Sequence, residues 1–192
     1  NNFTDQNTII NEDVLKFKED SLSEDKLIVF GNLPYNISTQ ILTKWIKINN
    51  LEKFCKKLVL MFQKEVADRI LSDYNTSNYG RLSVVANWRL NVKKLFDISP
   101  NSFYPKPKVE SSLLFFSPKK NFLKLKNPDN LEKITRIFFR HRRKMIKKSF
   151  RKIFSEYLEI SNKYKINLNL RPQNINFDTY YKLTQEYEKL RG

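Results

Sequence analysis

The sequence predicts an α/β protein: a layered sheet with an antiparallel hairpin at one edge, followed by a small all-helical unit. Three observations carry that expectation. Two short, nearly continuous apolar runs, KLIVFG (26–31) and KLVLMF (57–62), have the character of buried parallel strands, and each leads into residues of helical spacing. Two longer extended runs come next. Beyond a composition break at SPKKN (117–121) the apolar period turns helical.

Taken in order, NTIINEDV (7–14) reads as a short strand ending in acidic residues, and 26–31 as a buried strand. After a Pro-Tyr turn, Ser38 or Thr39 can cap a helix carrying Ile41, Leu42, Trp45 and Ile46 on one face. A buried strand at 57–62 is followed by a helix over 64–71. RLSVVANWRL (81–90) alternates imperfectly and reads as a long strand. In NSFYPKPKV (101–109) two prolines fix an extended path, and VESSLLFF (109–116) makes the last strand. Helices follow at 129–141, 143–158 and 178–190. The expected division is residues 1–118 for the sheet and 119–192 for the helical unit.

The 192 residues are enough to bury a sizeable core. A net charge of +16 points to a polyanionic partner, nucleic acid or an anionic membrane face; the plainer alternative is a lysine-rich surface from biased composition. The single cysteine, Cys55, leaves no internal disulfide and no metal cluster, which fits a reducing cytosolic compartment. No apolar run approaches the roughly 18 residues of a membrane span, and no signal peptide is visible.

The chemistry concentrates at Asn32-Leu33-Pro34-Tyr35, directly after a buried strand, where open α/β sheets bind ligands. The Asn amide can accept a hydrogen bond from an amino group. Pro34 fixes the turn, a carbonyl of Leu33 or Pro34 can accept a second bond, and Tyr35 offers a flat stacking face. Two acceptors and a ring describe a pocket for an exocyclic amine on a planar heterocycle; the alternative is an ordinary strand-to-helix turn. Downstream, residues 136–152 contain no acid. On one helical path, Arg140, Arg143, Lys144, Lys147, Lys148 and Arg151 would share a face suited to phosphates, with Ile137, Phe138, Met145, Ile146 and Phe150 packing inward. The alternative is a solvated charge run.

NLPYNIST (32–39) resembles the amine-methylating motif of the ribosomal RNA adenine dimethyltransferases. MFQKEVADR (61–69), YGRLSV (79–84) and FYPKPKVES (103–111) resemble later blocks of that family, in the same order and spacing. FRHRRKMIKKSF (139–150), LRPQNI (170–175) and YYKL (180–183) are similar to the KsgA (RsmA) type rather than to the related Erm enzymes. The resemblance covers essentially the whole chain. It implies a Rossmann-like class I methyltransferase sheet, mostly parallel, and dimethylation of two adjacent adenosines near the 3′ end of small-subunit (16S) ribosomal RNA.

The resemblance also implies roles. Asn32 and the Leu33-Pro34 backbone would accept the two amine hydrogens, so that catalysis is mainly positioning. Tyr35 would stack on the flipped adenine, with Phe103 on its other face. Asp13, with Val14 and Asn32, would border S-adenosylmethionine; taken alone, Asp13 is as readily a cap or turn residue. The RNA contacts would be Arg136, Arg140, Arg142, Arg143, Lys144, Lys147, Lys148 and Arg151. His141 is not read as a general base. Expected partners are small-subunit ribosomal RNA and the immature 30S particle, met by a cytoplasmic monomer with no metal and no membrane.

The chain departs from the family in one respect. The glycine-rich cofactor loop and the acid that would hold the ribose are absent, and the only glycines are Gly31, Gly80 and Gly192. The expectation is therefore the C-terminal portion of a longer protein, with residues 7–14 as its third strand, an incomplete cofactor site, and weak or no S-adenosylmethionine binding by these residues alone. Two other readings stand beside the leading one: an Erm-like 23S ribosomal RNA methyltransferase, and a non-catalytic RNA-binding or ribosome-assembly fragment.

Overall fold

Four strands form one mixed sheet in the order β1-β2-β4-β3 in the computed structural model, which describes residues 8–19, 22 and 25–191. β1 (Leu27–Asn32) and β2 (Cys55–Gln63) run parallel, joined through α1 (Ser38–Lys47) and the single turn α2 (Leu51–Phe54). β2 pairs antiparallel with β4 (Ser111–Pro118), and β4 with the edge strand β3 (Leu90–Ile98). The buried strand interior is apolar on both faces: Leu58, Leu60, Met61 and Phe62 of β2 are all buried, as the continuous apolar run requires. β1 is barer, with alternate residues exposed and Phe30 at 76 %.

The helix after β1 forms as expected, its buried face made of Ile41, Leu42, Trp45 and Ile46. α3 (Lys64–Leu71) follows β2 directly. Residues 81–90 depart from expectation: they form α4 (Arg81–Arg89), and only Leu90 begins a strand. Ser83, Val84, Val85, Ala86, Trp88 and Arg89 of this helix are all buried, so no polar face marks a 3.6-residue period, and the paired valines imitate a strand. Ser83 Oγ accepts the Gly80 N–H (3.0 Å) and donates to the Arg69 carbonyl, which starts the helix and ties it to α3. The edge hairpin exists, but its first strand is Leu90–Ile98. Lys93 and Lys94 give it the charged character of a protected edge, and its register shifts between Lys94 and Phe96.

No strand forms among the described residues of 7–14; residue 7 lies outside them. β1 is the edge strand on this side of the sheet, and none of these residues pairs with it. The segment turns instead at Asp13, whose carbonyl accepts the Lys16 and Phe17 N–H groups.

α5 (Asp129–Phe139), α6 (Lys147–Ile153), α7 (Tyr157–Lys163) and α8 (Phe177–Leu190) follow the sheet. The single helix expected over 143–158 is broken. The N–H groups of Ile146 and Lys147 bond to the carbonyls of Leu170 and Leu168 instead of to the preceding turn, so the chain restarts a helix there. Aromatic rings fill the helical layer, with Phe138 edge-on to both Phe150 and Tyr180. One buried cluster runs from Ile41 to Tyr187 across residue 118, and Tyr181 Oη donates to the Val84 carbonyl at 3.0 Å.

Candidate active site

The turn after β1 and the arm before β4 meet at one end of the sheet. Asn32 is the last residue of β1 and pairs in register with Met61. Pro34 carries the chain over the strand end, and its carbonyl accepts the Ile37 N–H (3.1 Å), closing the turn into α1. Ser38 Oγ donates to the Tyr35 carbonyl at 3.2 Å, which fixes the same turn from the helix side. From the other direction, a single 3₁₀ turn at Pro100–Ser102 delivers Phe103, followed by the extended Tyr104-Pro105-Lys106-Pro107 segment with a cis Tyr104–Pro105 bond.

Asn32, Leu33, Pro34, Tyr35 and Phe103 thus line one open cavity of about 320 Å³, together with Met61, Tyr104, Pro105 and Pro107. Five residues drawn from two stretches about 70 positions apart in the chain therefore line the same cavity. The Asn32 amide is exposed and takes no hydrogen bond from another described residue, so its oxygen is available to a ligand. The Pro34 carbonyl retains a second lone pair beyond its bond to Ile37. Tyr35 is half-buried, and its Oη lies 2.6 Å from Ser111 Oγ, a wholly buried hydroxyl at the start of β4. Ser111 and Met61 are the residues that the sequence reading missed. Met61 could be found by aligning the two parallel strands; nothing local marks Ser111.

Asp13 and Val14 do not line this cavity. Asp13 Oδ1 accepts the Leu15 N–H (2.9 Å), and the Val14 carbonyl accepts the Lys44 ammonium (2.7 Å). Asp13 is a turn residue here, and the expectation that it ends a strand is corrected. Asp13 Oδ2 takes no hydrogen bond from another described residue, and Asp13 is exposed. Among the described residues no group of His, Cys, Asp and Glu could hold a metal ion.

The Arg-rich stretch does not present one face. Because α5 ends at Phe139 and α6 starts at Lys147, the residues between them form turns. Arg136, Arg140 and Lys148 line a groove between α5 and α6, whereas Lys147, Lys148 and Arg151 border a hollow with Met145. Met145, expected to pack inward, is 59 % exposed. Arg142 turns the other way: its guanidinium donates to the Ser77 carbonyl and to Gln173 Oε1 (3.2 Å) and lines a large groove of about 820 Å³ beside α1 and α4. Arg143 and Lys144 are exposed on the turn.

The family model of ribosomal RNA adenine dimethylase matches residues 2–189. The chain is 61 % identical over 184 residues to ribosomal RNA small subunit methyltransferase A of Pelagibacter ubique, covering 96 % of this chain and 70 % of that protein. It is 39 % identical over 182 residues to the protein of the same name from a Wolbachia species of Drosophila simulans, covering 95 % and 66 %. The chain thus spans about two thirds of the length of these relatives. Among solved structures it is similar to a dimethyladenosine transferase from Plasmodium falciparum, with TM-score 0.68 and 28 % identity over 84 % of this chain and 66 % of that one. The 23S rRNA methyltransferase ErmE shares the fold, with TM-score 0.61 at 16 % identity over 93 % and 71 % of the two chains. The chain belongs to the ribosomal RNA adenine dimethylase family, S-adenosylmethionine-dependent enzymes that methylate adenine in ribosomal RNA.

Proposed function

We propose that the protein carrying this chain dimethylates the exocyclic amines of two adjacent adenosines near the 3′ end of 16S ribosomal RNA. The observation that carries this reading is the convergence of Asn32, the Leu33-Pro34 backbone, Tyr35 and Phe103 on one cavity at the carboxyl end of a parallel strand. S-adenosylmethionine supplies the methyl group. The chain's own contribution is the acceptor side. The Asn32 amide oxygen and a carbonyl of Leu33 or Pro34 hold the two amine hydrogens and thereby orient the nitrogen lone pair outward. Tyr35 and Phe103 sandwich the ring that must leave its stack to reach them. No side chain needs to act as a base, and His141 lies far along the chain, in the turn after α5.

Asp13 and Val14 lie outside the cavity that Asn32 lines, and the glycine-rich loop is absent from the sequence. The cofactor site is accordingly incomplete within these residues, and we assign the chain alone weak or no cofactor affinity. Residues 1–118 then act as the catalytic portion and 119–192 as the RNA-binding portion. The substrate is an immature 30S particle, met in the cytoplasm by a monomer. No helix among the described residues is long and apolar enough to cross a membrane.

The test is methyl transfer by the full-length protein to small subunits lacking the modification. Asn32→Ala is expected to abolish it, and persistent transfer would remove the roles assigned here. Large subunits offered in parallel distinguish an Erm-like specificity. A full-length protein inactive on both would leave an RNA-binding assembly factor.

A further inference from the structure

Tyr104 is the most exposed large apolar or aromatic side chain among the described residues, at 102 %, yet it borders the same cavity as Asn32, Tyr35 and Phe103. Its phenol makes no hydrogen bond with another described residue, and its ring meets no other ring. The backbone, not packing, holds it in place. Tyr104 precedes Pro105 and Lys106 precedes Pro107, so each proline fixes its own φ and keeps the residue before it extended.

Both ends of the arm are fastened. At one, the Phe103 N–H donates to the Pro100 carbonyl (3.3 Å). At the other, the Glu110 carbonyl accepts the Lys64 N–H (2.9 Å), and the Glu110 carboxylate pairs with Lys64 Nζ (2.6 Å). Beyond those points Ile98 and Ser111 pair in the sheet.

Phe103 is itself extended, with φ −124° and ψ 148°. Successive side chains of an extended chain leave on opposite sides, so the two rings of the arm cannot grip one base. Phe103 is half-buried against the cavity, and Tyr104 stands open at its rim. An adenine brought between Tyr35 and Phe103 leaves its stack, and the nucleotide beside it loses a stacking face. A second flat face at the rim, held stiff and open to solvent, replaces the lost one at little ordering cost.

We propose that Tyr104 stacks on the base next to the adenine in the cavity, and so holds the second of two adjacent adenosines in line for reaction. This rests on the reading of the cavity as the acceptor site. The contact needs the ring and not the phenol, and it favours a purine, whose fused rings cover more of the tyrosine face.

The test measures kcat and KM of the full-length protein on small subunits lacking the modification. Tyr104→Ala is expected to lower kcat/KM about tenfold through KM, the size of one lost base stack. Its urea midpoint should stay at the parent value, because the side chain is fully exposed. Tyr104→Phe should restore most of the loss. Substrates in which an abasic residue replaces one or the other adenosine complete the cycle. On one of them Tyr104→Ala should cost nothing further, because the base that the ring stacks on is gone. A tenfold loss that persists on both abasic substrates, or a loss in Tyr104→Phe equal to that in Tyr104→Ala, would overturn the contact. A lowered urea midpoint in Tyr104→Ala would overturn it by making the ring a support of the arm. Full activity of Tyr104→Ala would also overturn it, while leaving the reading of the cavity intact. A full-length protein that transfers no methyl group to either subunit would remove that reading, and the Tyr104 contact with it.

Discussion

Tyr35 Oη and Ser111 Oγ are 2.6 Å apart although 76 positions separate them in the chain. This bond joins the turn after β1 to the start of β4. Ser111 cannot move: it pairs with Gln63 on one side and Ile98 on the other and is wholly buried. The ring that would stack on a base is therefore anchored by its phenol to a buried position paired on both sides within the sheet. Ser111→Ala should cost about 1–2 kcal/mol of stability, because the half-buried phenol loses its partner. Tyr35→Phe should cost about 1 kcal/mol, and the double variant clearly less than the sum, since both remove one bond. Additive urea midpoints would show that the bond contributes nothing.

Gly31 precedes the same turn, and a Cβ there would lie 2.8 Å from Leu60 Cδ2 and 3.0 Å from Leu33 Cδ2. The constraint is close approach between β1, β2 and the residue that follows Asn32. Gly31→Ala should cost about 1–3 kcal/mol by overpacking and displace Leu33, disturbing the carbonyl that the site uses. Gly80 is the internal control. Its φ of −167° is ordinary extended backbone, and the nearest atom to an added Cβ is 3.9 Å away. Gly80→Ala should be close to neutral in the same denaturation measurement; similar losses at the two positions would contradict the packing account.

These two relationships also mark where sequence reading stops. Asn32-Leu33-Pro34-Tyr35 could be placed correctly because strand, turn and helix cap are contiguous and each is set by local chemistry. Phe103 is assigned to the site by the resemblance alone; the two prolines after it set an extended path but name no partner. Ser111 was invisible because its role is created by a partner 76 residues away. α4 was mistaken for a strand because packing on all sides removed the polar face that reveals a helix. The sequence places the second helix's start at 143 rather than at Lys147 because that start is set by the Leu168 and Leu170 carbonyls, which no local pattern announces.

The segment around Asp13 is held to α1 by Lys44 and Trp45. Lys44 Nζ donates to the Val14 and Phe17 carbonyls and to Glu19 Oε1 (2.6 Å), and Trp45 Nε1 donates to the same carboxylate oxygen (2.6 Å). Glu19 is 6 % exposed, so removing the ammonium strands a buried charge. Lys44→Met should destabilise by about 2–4 kcal/mol and change the Trp45 fluorescence. Pairing it with Glu19→Gln should recover part of the loss, because the amide still accepts the indole N–H. Failure of the second substitution to recover any stability would show that the two carbonyl contacts, not the ion pair, dominate.

Cys55 opens β2 at 1 % exposure, and burial pushes its thiol up to about 11 from 9.0. Two units leave roughly 100-fold less thiolate at neutral pH than an ordinary cysteine carries. Labelling by a disulfide reagent should therefore be slow in the native protein and become fast in urea, following the unfolding transition. Rapid native labelling would show that the β1–β2 end of the sheet opens locally.

The α7–α8 contact gives stability a defined pH window. Glu186 accepts from Lys163 Nζ and from Tyr164 Oη, both at 2.7 Å. The bond from Lys163, helped by that from Tyr164, holds the carboxyl below its usual range against the opposing effect of burial. A depressed folded-state value contributes stability above the ordinary carboxylate range, near 4.3, that is lost as pH falls through the folded value. Tyr164 shifts oppositely: burial first, then the neighbouring carboxylate, pushes its phenol up to about 12. Its contribution is complete below the ordinary tyrosine value near 10 and is lost as pH rises through about 12. Urea midpoints should thus be flat between about pH 5 and 10 for this contact, with a loss on each side. Glu186→Gln should flatten the acid limb, and Tyr164→Phe should remove the alkaline loss while leaving the acid limb largely in place. An acid limb of unchanged steepness in Glu186→Gln would assign that loss to other carboxylates.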